Sequence, residues 1–224
     1  MAGFRSGLVT LTFDDGWRCA YDNAAPRLDR AGLRATYYVI TGCLDDEQFP
    51  RYMNLDQIRD LANRGHEIGC HTASHKRLTT ETKHIIEEEI VLSRGYLAQR
   101  VGRVDTFCYP YGDYDVRVVE VVKRAGFLGA RTLRDGFNTD DLDPFFLKSK
   151  SVNCETTHSE VATWIDTARR RNVWLVLTFH QIDHEGREFS CTPETLQGII
   201  DHLGATGVSV VTVRDAIAKL GALA

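Results

Sequence analysis

No C-x-x-C pair occurs in this 224-residue sequence. Its six cysteines stand singly at positions 19, 43, 70, 108, 154 and 191, which argues against a cysteine-built zinc module. In a chain of this length they read as buried free thiols, with one or two disulfides left open. There is no basic stripe either. Lys and Arg number 27 against 31 Asp and Glu, a net charge of −4, so nucleic acid is not an expected partner. No apolar run approaches the roughly 20 residues that span a bilayer. The opening MAGFRSG lacks the apolar segment of a signal peptide, so the expected location is cytosolic, or exported after loss of a leader. No repeat of about 20–50 residues and no low-complexity linker interrupts the chain. A hydrophobic content of 43% is enough for a sizeable core. One domain over residues 1–224 is therefore expected.

What is present is an alternation of short apolar runs and amphipathic segments. The runs at 8–13 (LVTLTF), 35–40, 67–71, 105–109, 127–131, 147–152, 173–179 (VWLVLTF) and 207–212 predict strands. The segments at 55–64, 80–100, 114–125, 158–171 and 193–204 predict helices. In the first of these Leu55, Ile58, Leu61 and Ala62 share a face, and Gly65 ends it. Strand–helix alternation of this kind predicts one parallel α/β sheet or barrel, with its chemistry at the C-terminal strand ends. The reactive residues fall where that rule puts them. Asp14 and Asp15 follow the first strand, HTASH (71–75) the third and YPYG (109–112) the fourth, and His180 follows VWLVLTF directly.

Two adjacent carboxylates at the end of a core strand are either solvated there or, if buried, compensated by a cation or proton. His71, His75 and Asp15 form a two-histidine, one-carboxylate set, an open site for a divalent ion. Asp14, on the other side of that ion, is placed to take a proton from its water. Successive strand residues point to opposite sides, which separates the two roles. Amide hydrolysis further needs an oxyanion donor and a proton for the leaving amine. Pro110 has no N–H, so the next donor in its turn, the Tyr111 N–H, is free to enter the cleft. His180 is the candidate acid.

TFDDG (12–16), HTASH (71–75), FCYPYG (107–112) and LTFHQI (177–182) together resemble the ordered motifs of the polysaccharide deacetylases, the NodB-homology group or carbohydrate esterase family 4. The resemblance runs from Thr12 to the closing GVSVVTV. It implies a single-domain, distorted (β/α) barrel of about seven or eight parallel strands. It implies one divalent metal ion, usually Zn2+ with Co2+, Ni2+ or Mn2+ as alternatives, on Asp15, His71 and His75. It implies Asp14 as general base, His180 as general acid and the Tyr111 N–H as oxyanion donor, and an acetylated glycan or oligosaccharide as substrate.

The sequence departs from that pattern twice. Where many members carry an arginine that pairs the catalytic aspartate, it has Cys108, and Arg131 and Arg134 are the candidates to replace it. Where an aspartate and a tryptophan orient the acid histidine, RTLRDGFN (131–138) offers Asp135 and no tryptophan. Trp17, Pro110, Arg131, Asp135 and His184 are candidate substrate contacts. Phe137, Phe145 and Phe146 either stack on sugar rings or pack beneath their loop. Asp45, Asp46 and Glu47, in the loop at 42–52, read as solvated, and Cys70 as a small strand residue. Three other readings fit the same residues: an O-acetyl esterase, an amidohydrolase acting on a small nitrogenous ring, and a carbohydrate-binding protein without catalysis.

Overall fold

The computed structural model describes residue 4, residues 7–45 and residues 47–221. Asp46, most of MAGFRSG and the last residues of the expected domain lie outside the described residues. The strands are β1 (Leu8–Phe13), β2 (Thr36–Val39), β3 (Glu67–Cys70), β4 (Thr106–Cys108), β5 (Gly129–Asp135), β6 (Leu147–Ser151), β7 (Trp174–Phe179), β8 (Gln181–Ile182), β9 (Ser190–Cys191) and β10 (Ser209–Val210). β1 to β7 pair in chain order, all parallel, and β7 pairs back onto β1 along its whole length, closing a seven-stranded barrel. The eighth strand of the main sheet, β10, joins the N-terminal half of β1 (Leu8↔Ser209, Val9↔Val210). β2 pairs only with the C-terminal half, at Thr12↔Thr36 and Phe13↔Tyr37. Two strands thus share one flank of β1, and the barrel is distorted there as expected.

Six of the eight expected strands fall within one residue of their places at each end, and the one expected at 127–131 starts two residues later and runs on to Asp135. The eighth, 207–212, is extended only at Ser209–Val210. The β-branched run there continues into a helix, capped by Thr212 Oγ1 accepting from the Asp215 N–H at 3.2 Å. The helices are α1 (Ala25–Arg30), α2 (Leu55–Asn63), α3 (Lys83–Glu87), α4 (Ser93–Val101), α5 (Val116–Arg124), α6 (His158–Arg171), α7 (Pro193–Thr206) and α8 (Val213–Gly221). α2 and α6 both begin in capping boxes, Asn54 with Gln57 and Thr157 with Glu160. The helix expected over 80–100 is divided by a π turn, Glu88–Leu92, between α3 and α4. The β5–β6 crossover holds no α-helix, only a 3₁₀ turn at Pro144–Phe146. Phe137, Phe145 and Phe146 are half-buried there and pack against the core, so the packing alternative holds for all three.

Period-2 alternation sorts the strand residues. Val9, Leu11 and Phe13 join the large core between barrel and helices. Leu8, Thr10 and Thr12 face inward. Thr10 Oγ1 accepts from the Trp174 indole at 2.9 Å, and Thr12 Oγ1 donates to the Leu177 carbonyl at 3.0 Å. Tyr38, Cys108, Leu147, Trp174 and Val176 fill the interior with Val213 and Ala216 of α8. Gly69 makes room for Tyr38, since a Cβ there would lie 2.5 Å from that ring. The same parity, carried one step past each strand, directs Asp14, His71 and His180 to the C-terminal mouth.

Candidate active site

All four expected clusters meet at that mouth. Asp14, Asp15, His71, His75, Tyr111 and His180 line one cavity of about 170 Å³, together with Tyr109, Leu133, Ser151 and Phe189. Parity accounts for Asp14, but it would send Asp15 to the helix side. The backbone decides otherwise. Asp15 has φ 71°, so the chain turns off the strand and keeps the second carboxylate at the mouth. Thr72 (67°), His75 (57°) and Tyr111 (60°) are also left-handed. Four of the six non-glycine residues with positive φ among the described residues thus crowd this one rim, as strained backbone does at functional sites.

Asp15 Oδ1 lies 3.4 Å from His71 Nε2 and 3.5 Å from His75 Nε2. It is buried and has no hydrogen-bond partner. The other oxygen, Oδ2, accepts from the Trp17 indole N–H at 2.9 Å. His71 Nδ1 is 2.8 Å from the Cys108 carbonyl oxygen. A carbonyl only accepts, so Nδ1 carries the hydrogen and Nε2 faces Asp15. Burial raises the Asp15 carboxyl, but the nearby His71, with His180 and His75 behind it, outweighs burial and holds it well below the usual carboxylate range. Burial and the charge of His71 push His75 down to about 4. An unbonded carboxylate oxygen facing two imidazole nitrogens fits a divalent cation, and the mixed N/O donor set suits Zn2+, Co2+, Ni2+ or Mn2+ alike.

Asp14 is held from the opposite side. Its Oδ2 is hydrogen-bonded and ion-paired to the Arg131 guanidinium, both side chains being almost wholly buried. Its Oδ1 is buried without a partner, and His180 Nε2 stands 3.9 Å from Oδ2. Arg131 also donates to Ser149 Oγ at 3.3 Å and lies 2.7 Å from Cys108 Sγ. Cys108 and Arg131 are register partners across β4 and β5. Of the two arginines considered as replacements, Arg131 therefore reaches Asp14, from the strand next to the one that carries Cys108. Arg134 instead extends to the Tyr114 hydroxyl at 3.4 Å.

The candidate substrate contacts are mostly placed elsewhere. Arg131 has no exposed surface and lies beneath Asp14. Asp135 is displaced by a bulge, since the five residues of β5 from Arg131 to Asp135 stand against only three of β6, Leu147 to Ser149. It ends on the surface, paired to Lys150 at 2.8 Å. His184, 67% exposed, pairs with Glu194 at 3.5 Å. Pro110 is buried at the start of its turn, and Trp17 contacts Asp15. All six cysteines are free thiols. Two residues of the site went unread in the sequence. Glu89, buried in the π turn, accepts from the Ala73 and Ser74 N–H groups at 3.0 and 2.8 Å and from Ser74 Oγ, so it fixes the loop between the two histidines. Its signal was an acid inside the buried stripe of Ile86, Ile90 and Leu97. Phe189, packed on the His180 ring at 5.1 Å, gave no signal in its polar surroundings.

The fold and this mouth define a closed parallel (β/α) barrel with a two-histidine, one-carboxylate centre and a second, arginine-held carboxylate. The chain belongs to the polysaccharide deacetylase family, whose sequence profile matches residues 3–130. It is 25% identical over 171 residues to the poly-beta-1,6-N-acetyl-D-glucosamine N-deacetylase of Staphylococcus aureus (strain MRSA252), covering 70% of this chain and 58% of that protein. It is 24% identical over 162 residues to YxkH of Bacillus subtilis (strain 168), covering 72% of this chain and 57% of YxkH. It thus spans little more than half the length of these relatives. A Mycobacterium smegmatis structure, 16% identical, superimposes on all of this chain and 93% of its own with a TM-score of 0.79, a likeness of fold.

Proposed function

We propose that the chain is a metal-dependent deacetylase that hydrolyses the N-acetyl groups of a polysaccharide or oligosaccharide. One observation carries the reading: the buried, unbonded Asp15 Oδ1 faces two imidazole nitrogens, with Asp14 and His180 opposed beside it. Asp15, His71 and His75 would hold the ion, which when bound supplies Lewis acidity toward a water and a carbonyl oxygen. Arg131 occupies Asp14 Oδ2, leaving Oδ1 to accept the proton of the attacking water as its oxygen adds to the acetyl carbon. In the Pro110 turn the Gly112 and Asp113 N–H groups are bonded to Tyr109 and Pro110, which leaves the Tyr111 N–H for the oxyanion. Protonated His180 then gives its proton to the nitrogen as the C–N bond breaks, releasing acetate and a free amine. The S. aureus relative carries an N-deacetylase name, which supports the amide over the ester.

The test is acetate release from N-acetylated and O-acetylated glycans, with and without a chelator, and with metal content assayed alongside. Release from O-acetylated glycan alone replaces the amide by the ester reading. Full release from metal-free protein sinks the mechanism. His180→Ala should slow N-deacetylation by a general-acid factor of about 10²–10⁴, slow hydrolysis of an activated aryl acetate far less, and leave the metal content unchanged. Equal losses on both substrates would give His180 a binding or structural role.

A further inference from the structure

Trp17 follows TFDDG directly and looked, from the sequence, like a wall of the substrate cleft. It does not line the cavity. Its indole N–H instead donates to Asp15 Oδ2 at 2.9 Å. We infer that Trp17 is a positioning residue for the metal centre: it fixes which oxygen of Asp15 faces His71 and His75. This rests on the metal-site reading above.

A carboxylate at the end of a strand can rotate and offer either oxygen, or both. Here the choice is made by a donor that cannot accept, ionise or flip. With Oδ2 engaged, Oδ1 alone is left toward the two imidazole nitrogens, where it is buried and unbonded. The indole is itself held. Its ring stacks on Tyr52, with centroids 4.5 Å apart and planes 24° from parallel. Backbone bonds on either side, Met53 N–H to the Gly16 carbonyl and Arg18 N–H to the Arg51 carbonyl, both 2.8 Å, tie the segment after β1 to residues 51–53. Arg51 lies 6.0 Å from the indole centroid and is ion-paired to Glu185 at 2.5 Å. The left-handed backbone at Asp15 brings the carboxylate to the mouth, and Trp17 then sets its rotation. Partners of this kind, which hold a ligand without touching the metal, typically change metal affinity by about 10- to 100-fold when removed.

The test is a metal titration without substrate. Zn2+ or Co2+ is competed against a chromophoric chelator, using the full chain and two variants. Trp17→Phe keeps an aromatic ring on Tyr52 and deletes the N–H. It should weaken metal binding by about 10- to 100-fold while leaving KM for the glycan at saturating metal near that of the parent. Tyr52→Leu removes the stacking partner but keeps the donor, and should weaken metal binding by a smaller factor. If Trp17→Phe binds metal as tightly as the parent and raises KM, Trp17 is a substrate contact and the inference falls, with the metal-site reading intact. If the parent itself binds no metal, both fall together. Should Trp17→Phe fail to fold, a folded Tyr52→Leu with parental metal affinity overturns the inference.

Discussion

Glu67 at the N-terminal end of the barrel and the pair Asp14 and Asp15 at the C-terminal end are buried carboxylates treated in opposite ways. At the N-terminal end Glu67, fully buried, accepts from Thr36 Oγ1 at 2.8 Å, Thr106 Oγ1 at 2.6 Å and the Arg214 N–H at 2.9 Å. The last of these is a free N–H in the first turn of α8, where a carboxylate is favoured by both the unpaired donors and the helix dipole. Both oxygens of Glu67 are used, and the helix is fastened to the barrel. At the C-terminal end Asp14 and Asp15 each keep one buried oxygen without a partner. An unsatisfied buried acceptor costs about 1–3 kcal/mol, more when charged. The difference separates a carboxylate that holds the fold together from the two that the proposed function assigns to the metal and to the water.

That comparison can be broken most severely at the mouth. Asp15→Asn or His71→Ala should remove the metal and the activity together, as read by elemental analysis and acetate release. A variant that lost the ion but kept its rate would place the ligands elsewhere. Asp14→Asn comes next. It should keep the ion and lose about 10²–10⁴ in kcat, the contribution of a general base. If it lost the ion while Asp15→Asn retained it, the two roles would have to be exchanged.

Arg131→Ala leaves Asp14 buried and unpaired, and should destabilise the fold by about 3–5 kcal/mol in denaturant unfolding. The register of β4 and β5 sharpens this. Cys108→Arg alone overpacks the pair, whereas Cys108→Arg combined with Arg131→Cys restores a guanidinium beside Asp14 and should recover part of the loss. Additive losses in the double variant would show that the strand from which the arginine comes cannot be exchanged.

The smallest effect belongs to the other end. Glu67→Gln should cost about 1–3 kcal/mol through its broken bonds and leave kcat near that of the parent. Burial is the largest influence on Glu67 and raises its carboxyl above the ordinary 4.5. A raised acid binds more protons folded than unfolded, so its contribution to stability is complete below pH 4.5 and is lost as pH rises through the folded value. The parent should therefore lose stability relative to Glu67→Gln as pH climbs from 4.5, as followed by thermal unfolding. The reverse slope would mean that the three hydrogen bonds outweigh burial.

Much of the fold and site is legible in the sequence, because the barrel repeats one local rule. Apolar runs of period 2 make the strands, caps such as Asn54 and Thr157 start the helices, and parity sends Asp14, His71 and His180 to the same mouth. These are near-neighbour effects, carried by the residues that show them. Where the rule fails, contacts distant in sequence prevail. The run at 207–212 is extended only at Ser209–Val210, and the chain turns into α8 directly after it, where Thr36 and Glu67 receive the helix's first N–H groups. Asp135 leaves the site because a bulge in β5 shifts its register against β6.

The sequence by itself determined the barrel, its reactive mouth and the two acidic residues that end β1. Only the tertiary structure decided how each one is used. Asp15 stays at the mouth through a left-handed turn and is oriented by Trp17, whose own ring is braced 35 residues along the chain by Tyr52. Asp14 is paired with Arg131, 117 residues away, in place of an arginine at position 108. Side-chain identity fixes what a group can donate or accept. Which partner it meets depends on strand register and backbone dihedral, and these are settled only when the whole barrel closes.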